Sequence, residues 1–156
     1  MAESLPYFGY GSNLDADDWK EWCERKGHDH VEMVEIGNAY LIGYQMKFHY
    51  YSNNRKGGAA DVVLADATAE VPGALFILNN EAWEAMDRKE GHPSYYKKKY
   101  VTVRTSDGET KAITYTVVEG KILDRYQKPT PEYEALIRNG LKRRNLPTSA
   151  LDAALE

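Results

Sequence analysis

Hydrophobic and polar residues alternate along much of the chain, and most of the alternating stretches are rich in β-branched or aromatic residues. Such alternation is typical of β-strands that bury one face. We predict strands at Tyr7–Tyr10, Ile36–Ile42, Tyr44–Tyr51, Ala59–Leu64, Glu70–Leu78, Tyr96–Arg104 and Lys111–Val118. Gly43 permits a sharp bend between the second and third strands, and Asp107 with Gly108 predicts a hairpin turn between the last two. The interior is therefore expected to be mostly β.

Four other stretches are predicted as helices: Asp15–Lys26, Asn80–Glu90, Pro131–Arg144 and Thr148–Leu155. Each of the first three begins at residues that favour the N-terminus of a helix. Asn80 is the expected cap of the second helix, Thr130 precedes Pro131 at the third, and Asn13 or Asp15 precedes the first. Because the helices are scattered among many strands without a regular βαβ alternation, we predict an α+β fold, a curled sheet or barrel with helices packed outside it.

The chain of 156 residues suits a single domain, residues 1–156, that is stable without disulfides or metal. Its net charge of −4 argues against a nucleic-acid partner. Cys23 is the only cysteine, which excludes an intramolecular disulfide and is typical of a reducing compartment. No apolar run approaches the roughly 20 residues needed to cross a membrane. We therefore expect a soluble cytoplasmic protein without a membrane partner, either a monomer or a homodimer.

The segment at residues 7–14 runs a short apolar strand into a loop of small polar residues. Gly9 and Gly11 are expected to take positive φ angles and to let the main chain approach a ligand. Ser12 and Asn13 supply short polar side chains at a helix entry. Backbone N–H groups collected there would hold an anion or a polarised carbonyl oxygen. The alternative is a purely structural joint between a strand and a helix.

A second segment places a carboxylate on the inward face of a helix. Trp83, Met86 and Glu90 share one face by their three- and four-residue spacings, so the face that buries the first two also turns Glu90 inward. Gly91 predicts that the helix ends just after Glu90, where the helix dipole disfavours an anion. Burial and this position would raise the pKa of Glu90, which suits a general base near neutral pH. The alternative is that Glu90 pairs in solvent with one of the two basic residues before it.

The two segments together resemble the γ-glutamylcyclotransferase-like superfamily, which includes γ-glutamylcyclotransferase, γ-glutamylamine cyclotransferase and AIG2-like proteins. The resemblance rests on the loop at Tyr10–Leu14, on Glu90 and Gly91 after a helix, and on Tyr96 shortly behind them. Further matching positions are Leu41, Gly43, Tyr44, Phe48, Gly57, Gly58, Ala59, Ala60, Val71, Pro72, Gly73, Ala74, residues 129–133, Ile137, Gly140 and residues 145–147. The similarity therefore spans about the whole chain.

The resemblance implies a small mixed β-barrel with peripheral helices and a cavity at the mouth formed partly by the Tyr10–Leu14 loop. It implies an intramolecular aminolysis, in which the α-amino group of a γ-glutamyl amide attacks its own γ-carbonyl, releasing 5-oxoproline and an amine. Glu90 matches the catalytic glutamate that moves the proton, and neither a cofactor nor a metal is expected. The residues expected to bind the small-molecule substrate are Tyr10, Gly11, Ser12, Asn13, Leu14, Tyr96 and Tyr133.

The sequence leaves two points about the tyrosines open. Core packing with a satisfied hydroxyl is the alternative role for both Tyr96 and Tyr133. Tyr95 and Tyr96 are adjacent, and because side chains alternate along a strand, only one of them can face the cavity.

Other reactive residues are expected to be structural. His28 and His30 follow a charged helix and are expected in a surface loop, not at a metal site. Ser12 has no recognisable partners for nucleophilic catalysis. Arg55 and Lys56 are expected to form a solvated loop, with steering of a substrate carboxylate as the alternative.

Three functions are consistent with these residues. The first is a γ-glutamyl cyclotransferase acting on a γ-glutamyl amino acid or amine. The second removes a γ-glutamyl group from a lysine side chain or a specialised metabolite by the same chemistry. The third is a family member that binds a ligand and does no chemistry. The motifs do not specify the leaving group, because its pocket would be formed by variable loops such as Asn53–Gly58.

Overall fold

Five strands of the chain close into a barrel, and two more form a separate hairpin. The computed structural model describes residues 5–156. Within that range the strands are β1 (Tyr7–Gly9), β2 (Met33–Ile42), β3 (Tyr44–Ser52), β4 (Gly57–Leu64), β5 (Glu70–Leu78), β6 (Tyr96–Thr105) and β7 (Gly108–Val117). The helices are α1 (Ala16–Arg25), α2 (Asn80–Glu90), α3 (Pro131–Arg143) and α4 (Ser149–Ala154), and short 3₁₀ turns lie at Ser12–Leu14 and Glu119–Lys121.

The barrel has the strand order β1-β5-β2-β6-β7, and β3 pairs with β4. The barrel closes where β1 pairs in parallel with β7, with Tyr7 opposite Ile113, whereas the other neighbours are antiparallel. This arrangement confirms the predicted α+β fold with a mixed barrel. Every strand and helix predicted from the sequence is present, with ends that differ by no more than three residues.

The start of β2 is one of the places where the predicted boundary was wrong. β2 begins at Met33, opposite Leu78 of β5, and a bulge interrupts its register between Glu35 and Gly37. A bulge inserts an extra residue and breaks the alternation of inward and outward side chains. The sequence pattern therefore shows only the part of β2 that follows the bulge.

Side-chain caps begin three of the helices. Asp15 accepts a hydrogen bond from the N–H of Asp18 at α1, and Thr130 accepts one from the N–H of Tyr133 at α3. The cap of α2 is Asn79, which accepts from the N–H of Ala82 at 2.8 Å, and not Asn80 as predicted. A cap must precede the first helical residue so that its side chain can reach the N–H three positions on.

A buried carboxylate joins the β3–β4 hairpin to the barrel. Asp61 of β4 is 1% exposed, and its Oδ1 accepts from the N–H of Val117 in β7 at 2.9 Å and from that of Val62 at 2.8 Å. Its Oδ2 lies 2.6 Å from Nε2 of His49 in β3. These contacts fix the start of β4 beside the barrel, where Ala59 and Ala60 line a cavity.

None of the helices in residues 5–156 is both long enough and apolar enough to cross a membrane.

Candidate active site

A cavity of about 540 Å³ opens between the loop after β1, the exposed face of α1, the C-terminal end of α2 and the start of β4. Seven of the eight site residues predicted from the sequence line it. They are Tyr10, Gly11, Ser12, Asn13, Glu90, Tyr96 and Tyr133. Residues that are up to 123 positions apart in the chain therefore meet at one opening.

Leu14 is the predicted site residue that does not line the cavity. Its side chain is fully buried, and its Cβ would lie 2.6 Å from a Cβ added to Gly140 of α3. In a 3₁₀ turn, successive side chains point about 120° apart, so the turn that directs Ser12 and Asn13 toward the cavity directs Leu14 into the core. Leu14 therefore anchors the loop against α3 and does not contact the cavity.

The loop does not use the positive φ angles expected of its glycines. Gly9 lies within β1, and Gly11 has φ −113°. A Cβ added at Gly11 would lie 3.6 Å from the hydroxyl of Tyr133, which is an ordinary contact distance, so no close approach requires glycine at this position. In the described part of the chain, the backbone N–H groups of Ser12 and Asn13 have no hydrogen-bond acceptor. They are available to a ligand, as the first N–H groups of a helical turn usually are.

Glu90 lies in the last turn of α2, which ends at Gly91 with φ +67°. The side chain is partly buried, and its Oε2 accepts a hydrogen bond from Nδ2 of Asn13 at 3.4 Å. Burial raises the pKa of Glu90 above the ordinary 4.5. The charge of Lys89, the bond from Asn13 and the charge of Arg55 oppose this shift without cancelling it. The pKa of the carboxyl group is thus shifted in the direction that favours a general base.

A charged cluster beside Glu90 was missed by the sequence analysis. Asp18 of α1 accepts two hydrogen bonds from the guanidinium of Arg55, at 2.9 and 3.1 Å. Its Oδ2 also lies 3.3 Å from Nζ of Lys89. The side chain of Lys89 is only 4% exposed. Lys89 therefore does not pair with Glu90 in solvent, which was the alternative interpretation of this segment. These three residues are separated by up to 71 positions in the chain, and no local pattern indicates that they meet.

Arg55 is therefore not part of a freely solvated loop. Its guanidinium lies 5.3 Å from the ring centroid of Tyr133, and it donates a hydrogen bond to Oγ of Ser12 at 3.2 Å. Burial alone would raise the pKa of Asp18, but the hydrogen bond from Arg55 and the charge of Lys89 outweigh it, so the pKa of Asp18 is lowered. Asp18 is thus the anion that holds two cations at the cavity wall.

The tyrosine hydroxyls bind backbone groups at the cavity floor. Tyr96 donates to the carbonyl of Ala60 at 2.7 Å, and Tyr133 accepts from the N–H of the same residue at 3.1 Å. Tyr10 donates to the carbonyl of Tyr115 at 2.7 Å. Tyr95 and Tyr96 both line the cavity, so the expectation that only one of them can face it was wrong. Tyr96 is the buried one, at 8% exposed, whereas Tyr95 is 44% exposed.

No group of three or more possible metal ligands lies together among residues 5–156.

The sequence matches one family model, described as "Gamma-glutamyl cyclotransferase, AIG2-like", over residues 7–135. A solved structure named "Gamma-glutamyl cyclotransferase" is similar with a TM-score of 0.79 at 23% identity, covering 97% of this chain and 86% of that one. An uncharacterised protein from Homo sapiens is similar with a TM-score of 0.73 at 25% identity, covering 98% and 87%. A yeast cyclotransferase described as specific to glutathione has a TM-score of 0.62 at 13% identity, covering 97% and 93%, which shows the fold alone. No curated protein sequence matches significantly.

Proposed function

Because the chain belongs to the γ-glutamyl cyclotransferase, AIG2-like family, we propose that it releases 5-oxoproline and an amine from a γ-glutamyl amide, with Glu90 as the general acid and base. One observation carries this proposal. Glu90 combines a raised pKa with a position at the cavity wall, beside a loop that presents free N–H groups. The same place thus holds a proton acceptor and the donors that a developing oxyanion needs.

The reaction begins with proton transfer from the α-ammonium group of the substrate to Glu90. The resulting amine attacks the γ-carbonyl carbon of the same molecule, which forms the C–N bond of a five-membered ring. Glu90 then donates this proton to the amide nitrogen, and the bond to the leaving group breaks as the carbonyl re-forms. Glu90 takes the second proton from the ring nitrogen and passes it to the released amine. Two protons leave the attacking nitrogen in all and two reach the leaving nitrogen, so Glu90 ends in its starting state.

The enzyme needs few groups for this chemistry because the nucleophile and the carbonyl belong to one molecule. Holding the ring-closing conformation contributes about 7–11 kcal/mol in well-oriented intramolecular reactions. The N–H groups of Ser12 and Asn13 are the donors that we assign to the oxyanion, and loss of one such donor typically lowers the rate by about 10²–10³. The protein itself supplies no nucleophile, and the proposed reaction uses neither a metal nor a cofactor. We expect it to take place in the cytoplasm.

The test is release of 5-oxoproline from a panel of γ-glutamyl-alanine, γ-glutamylethylamide and ε-(γ-glutamyl)-lysine, in the presence of EDTA. Glu90→Gln should lose about 10²–10⁴ of the rate, as expected for removal of a general base. Glu84→Gln is the matched control, because Glu84 is on the same helix and exposed. Full activity in Glu90→Gln would reject the proposed role. If none of these substrates is turned over but the folded protein binds 5-oxoproline, the protein would instead be a family member that binds a ligand and does not catalyse the reaction.

A further inference from the structure

The charges that line the cavity are balanced at its inner end. Asp18 and Glu90 carry two negative charges there, and Arg55 and Lys89 carry two positive charges. Asp18 forms an ion pair with each cation, at 2.9 and 3.3 Å. The inner end therefore has no net formal charge, and its cations already have a partner.

One face of α1 connects this inner end to the cavity rim. Asp18, Glu21, Trp22 and Arg25 all line the cavity, and their spacing of three, four and seven residues places them on one side of the helix. At a rise of about 1.5 Å per residue, Arg25 lies about 10 Å further along the helix axis than Asp18. The cavity lining thus continues well beyond Asp18 along α1.

The rim is strongly positive. Arg25, Lys26 and Arg88 are exposed residues that line it, and Glu21 is the one acidic residue there within the described range. None of the three cations forms an ion pair with a residue of the range 5–156. This excess of two positive charges occurs in a chain whose net charge is −4, so it creates a local attraction for anions.

The proposed reaction decides which part of a substrate meets each end. The attacking α-amino group must reach Glu90, so the γ-glutamyl head group occupies the inner end. That head group carries one ammonium and one carboxylate and is neutral overall, which matches the balanced inner charges. The leaving group must then extend toward the rim, where unpaired cations would face it.

We infer that the leaving group is an amino acid or a short peptide with a free carboxylate, bound at the rim by Arg25 and Arg88, and not an uncharged amine. This inference rests on the proposed function. Arg25 and Arg88 are specificity residues in this arrangement, because they contact the part of the substrate that does not react. A leaving group that presents an ammonium at the rim would be repelled by the same cations.

The test compares γ-glutamyl-alanine with γ-glutamylethylamide, which differ only by the carboxylate of the leaving group. Because Arg25 and Arg88 are exposed, each pair with the carboxylate is weak, and together we expect them to raise kcat/KM for γ-glutamyl-alanine about three- to tenfold at low salt. The preference should shrink as salt is added, because exposed charges are screened. γ-Glutamyl-alaninamide, which has nearly the same shape without the charge, should behave like the ethylamide.

The double variant Arg25→Gln/Arg88→Gln should bring the ratio of the two kcat/KM values close to one. Arg125→Gln is the matched control, since Arg125 is also exposed but lies outside this cavity, and it should keep the ratio of the unmodified protein. Equal turnover of the two substrates, or a preference that persists in the double variant, would overturn the inference and leave the proposed function intact. Absence of turnover with every substrate would overturn both.

Discussion

The ammonium nitrogen of Lys89 lies 2.6 Å from Oδ1 of Asn13. An ammonium group only donates hydrogen bonds, so this contact requires the carbonyl side of the amide to face Lys89. The NH₂ side of Asn13 must then face the other way, where Nδ2 donates to the hydroxyl of Tyr7 at 2.9 Å and to Oε2 of Glu90 at 3.4 Å. Lys89 therefore sets the direction of a donor that stabilises the ionised form of Glu90.

Replacing Lys89 with methionine should raise the pKa of Glu90, because it removes a nearby positive charge and frees the Asn13 amide to rotate. A general base must be ionised to act, so the acid limb of the kcat/KM profile should move to higher pH. We also expect kcat to fall most on the acid side of the profile, where less of Glu90 is ionised. Both changes are read from a rate profile between pH 4.5 and 8.

Lys20→Met controls for the loss of a lysine, since Lys20 is exposed on α1. An unshifted acid limb in Lys89→Met, with a folded protein by circular dichroism, would show that Lys89 does not act through Glu90.

Asp18→Asn should destabilise the protein by about 2 kcal/mol at neutral pH, because Arg55 and Lys89 would lose their shared anion at a partly buried position. The pKa of Asp18 is lowered in the folded protein, so its contribution to stability is complete above the pKa of the unfolded chain, about 3.9. That contribution is lost as the pH falls through the lower folded pKa. Urea unfolding at several pH values between 7 and 2.5 measures it.

The free-energy difference between the unmodified protein and Asp18→Asn should therefore be constant near neutral pH and shrink at acid pH. Asp17→Asn is the control, because Asp17 is the exposed neighbour on the same helix and should cost less than about 0.5 kcal/mol. A difference that stays constant down to pH 2.5 would contradict the proposed stabilisation by ion pairing.

Tyr96→Phe and Tyr133→Phe should separate packing from substrate binding. Each removes one hydrogen bond to Ala60 and should cost about 1–3 kcal/mol of stability. The hydroxyl of Tyr96 donates its hydrogen bond to the Ala60 carbonyl. The hydroxyl of Tyr133 accepts from the Ala60 N–H, so its own proton is available to donate a hydrogen bond to a ligand. We therefore expect kcat/KM to fall about tenfold further in Tyr133→Phe. Equal losses in the two variants would assign both tyrosines to packing.

Gly58→Ala should destabilise the protein by about 2–3 kcal/mol, because the new Cβ would lie 1.8 Å from the carbonyl oxygen of Gln127. The segment that contains Gln127 would have to move, and the backbone bond from Gly58 N–H to the carbonyl of Lys128 would be lost. Gly120→Ala is the control, since nothing lies within 4 Å of its added Cβ. Similar melting temperatures for the two variants would show that the segment containing Gln127 moves without loss of stability.

The sequence by itself determined the fold class, the order of the elements and the inward direction of Glu90. These features depend on local interactions: the alternation of residues in strands, the spacing of three and four in helices, and Gly91 in the left-handed conformation at the end of α2. The predicted start of β2 was wrong because a bulge near Gly37 interrupts the alternation, and the predicted cap of α2 was one residue too late.

Only the tertiary structure decided which side chains surround Glu90. The cluster of Asp18, Arg55 and Lys89 joins a helix, a loop and a second helix, and Leu14 is withdrawn into the core by contact with α3. Such contacts depend on how distant segments pack, and their free energy is not encoded in any local pattern of residues. The motif residues were therefore visible in the sequence, but the charges that set their pKa values were not.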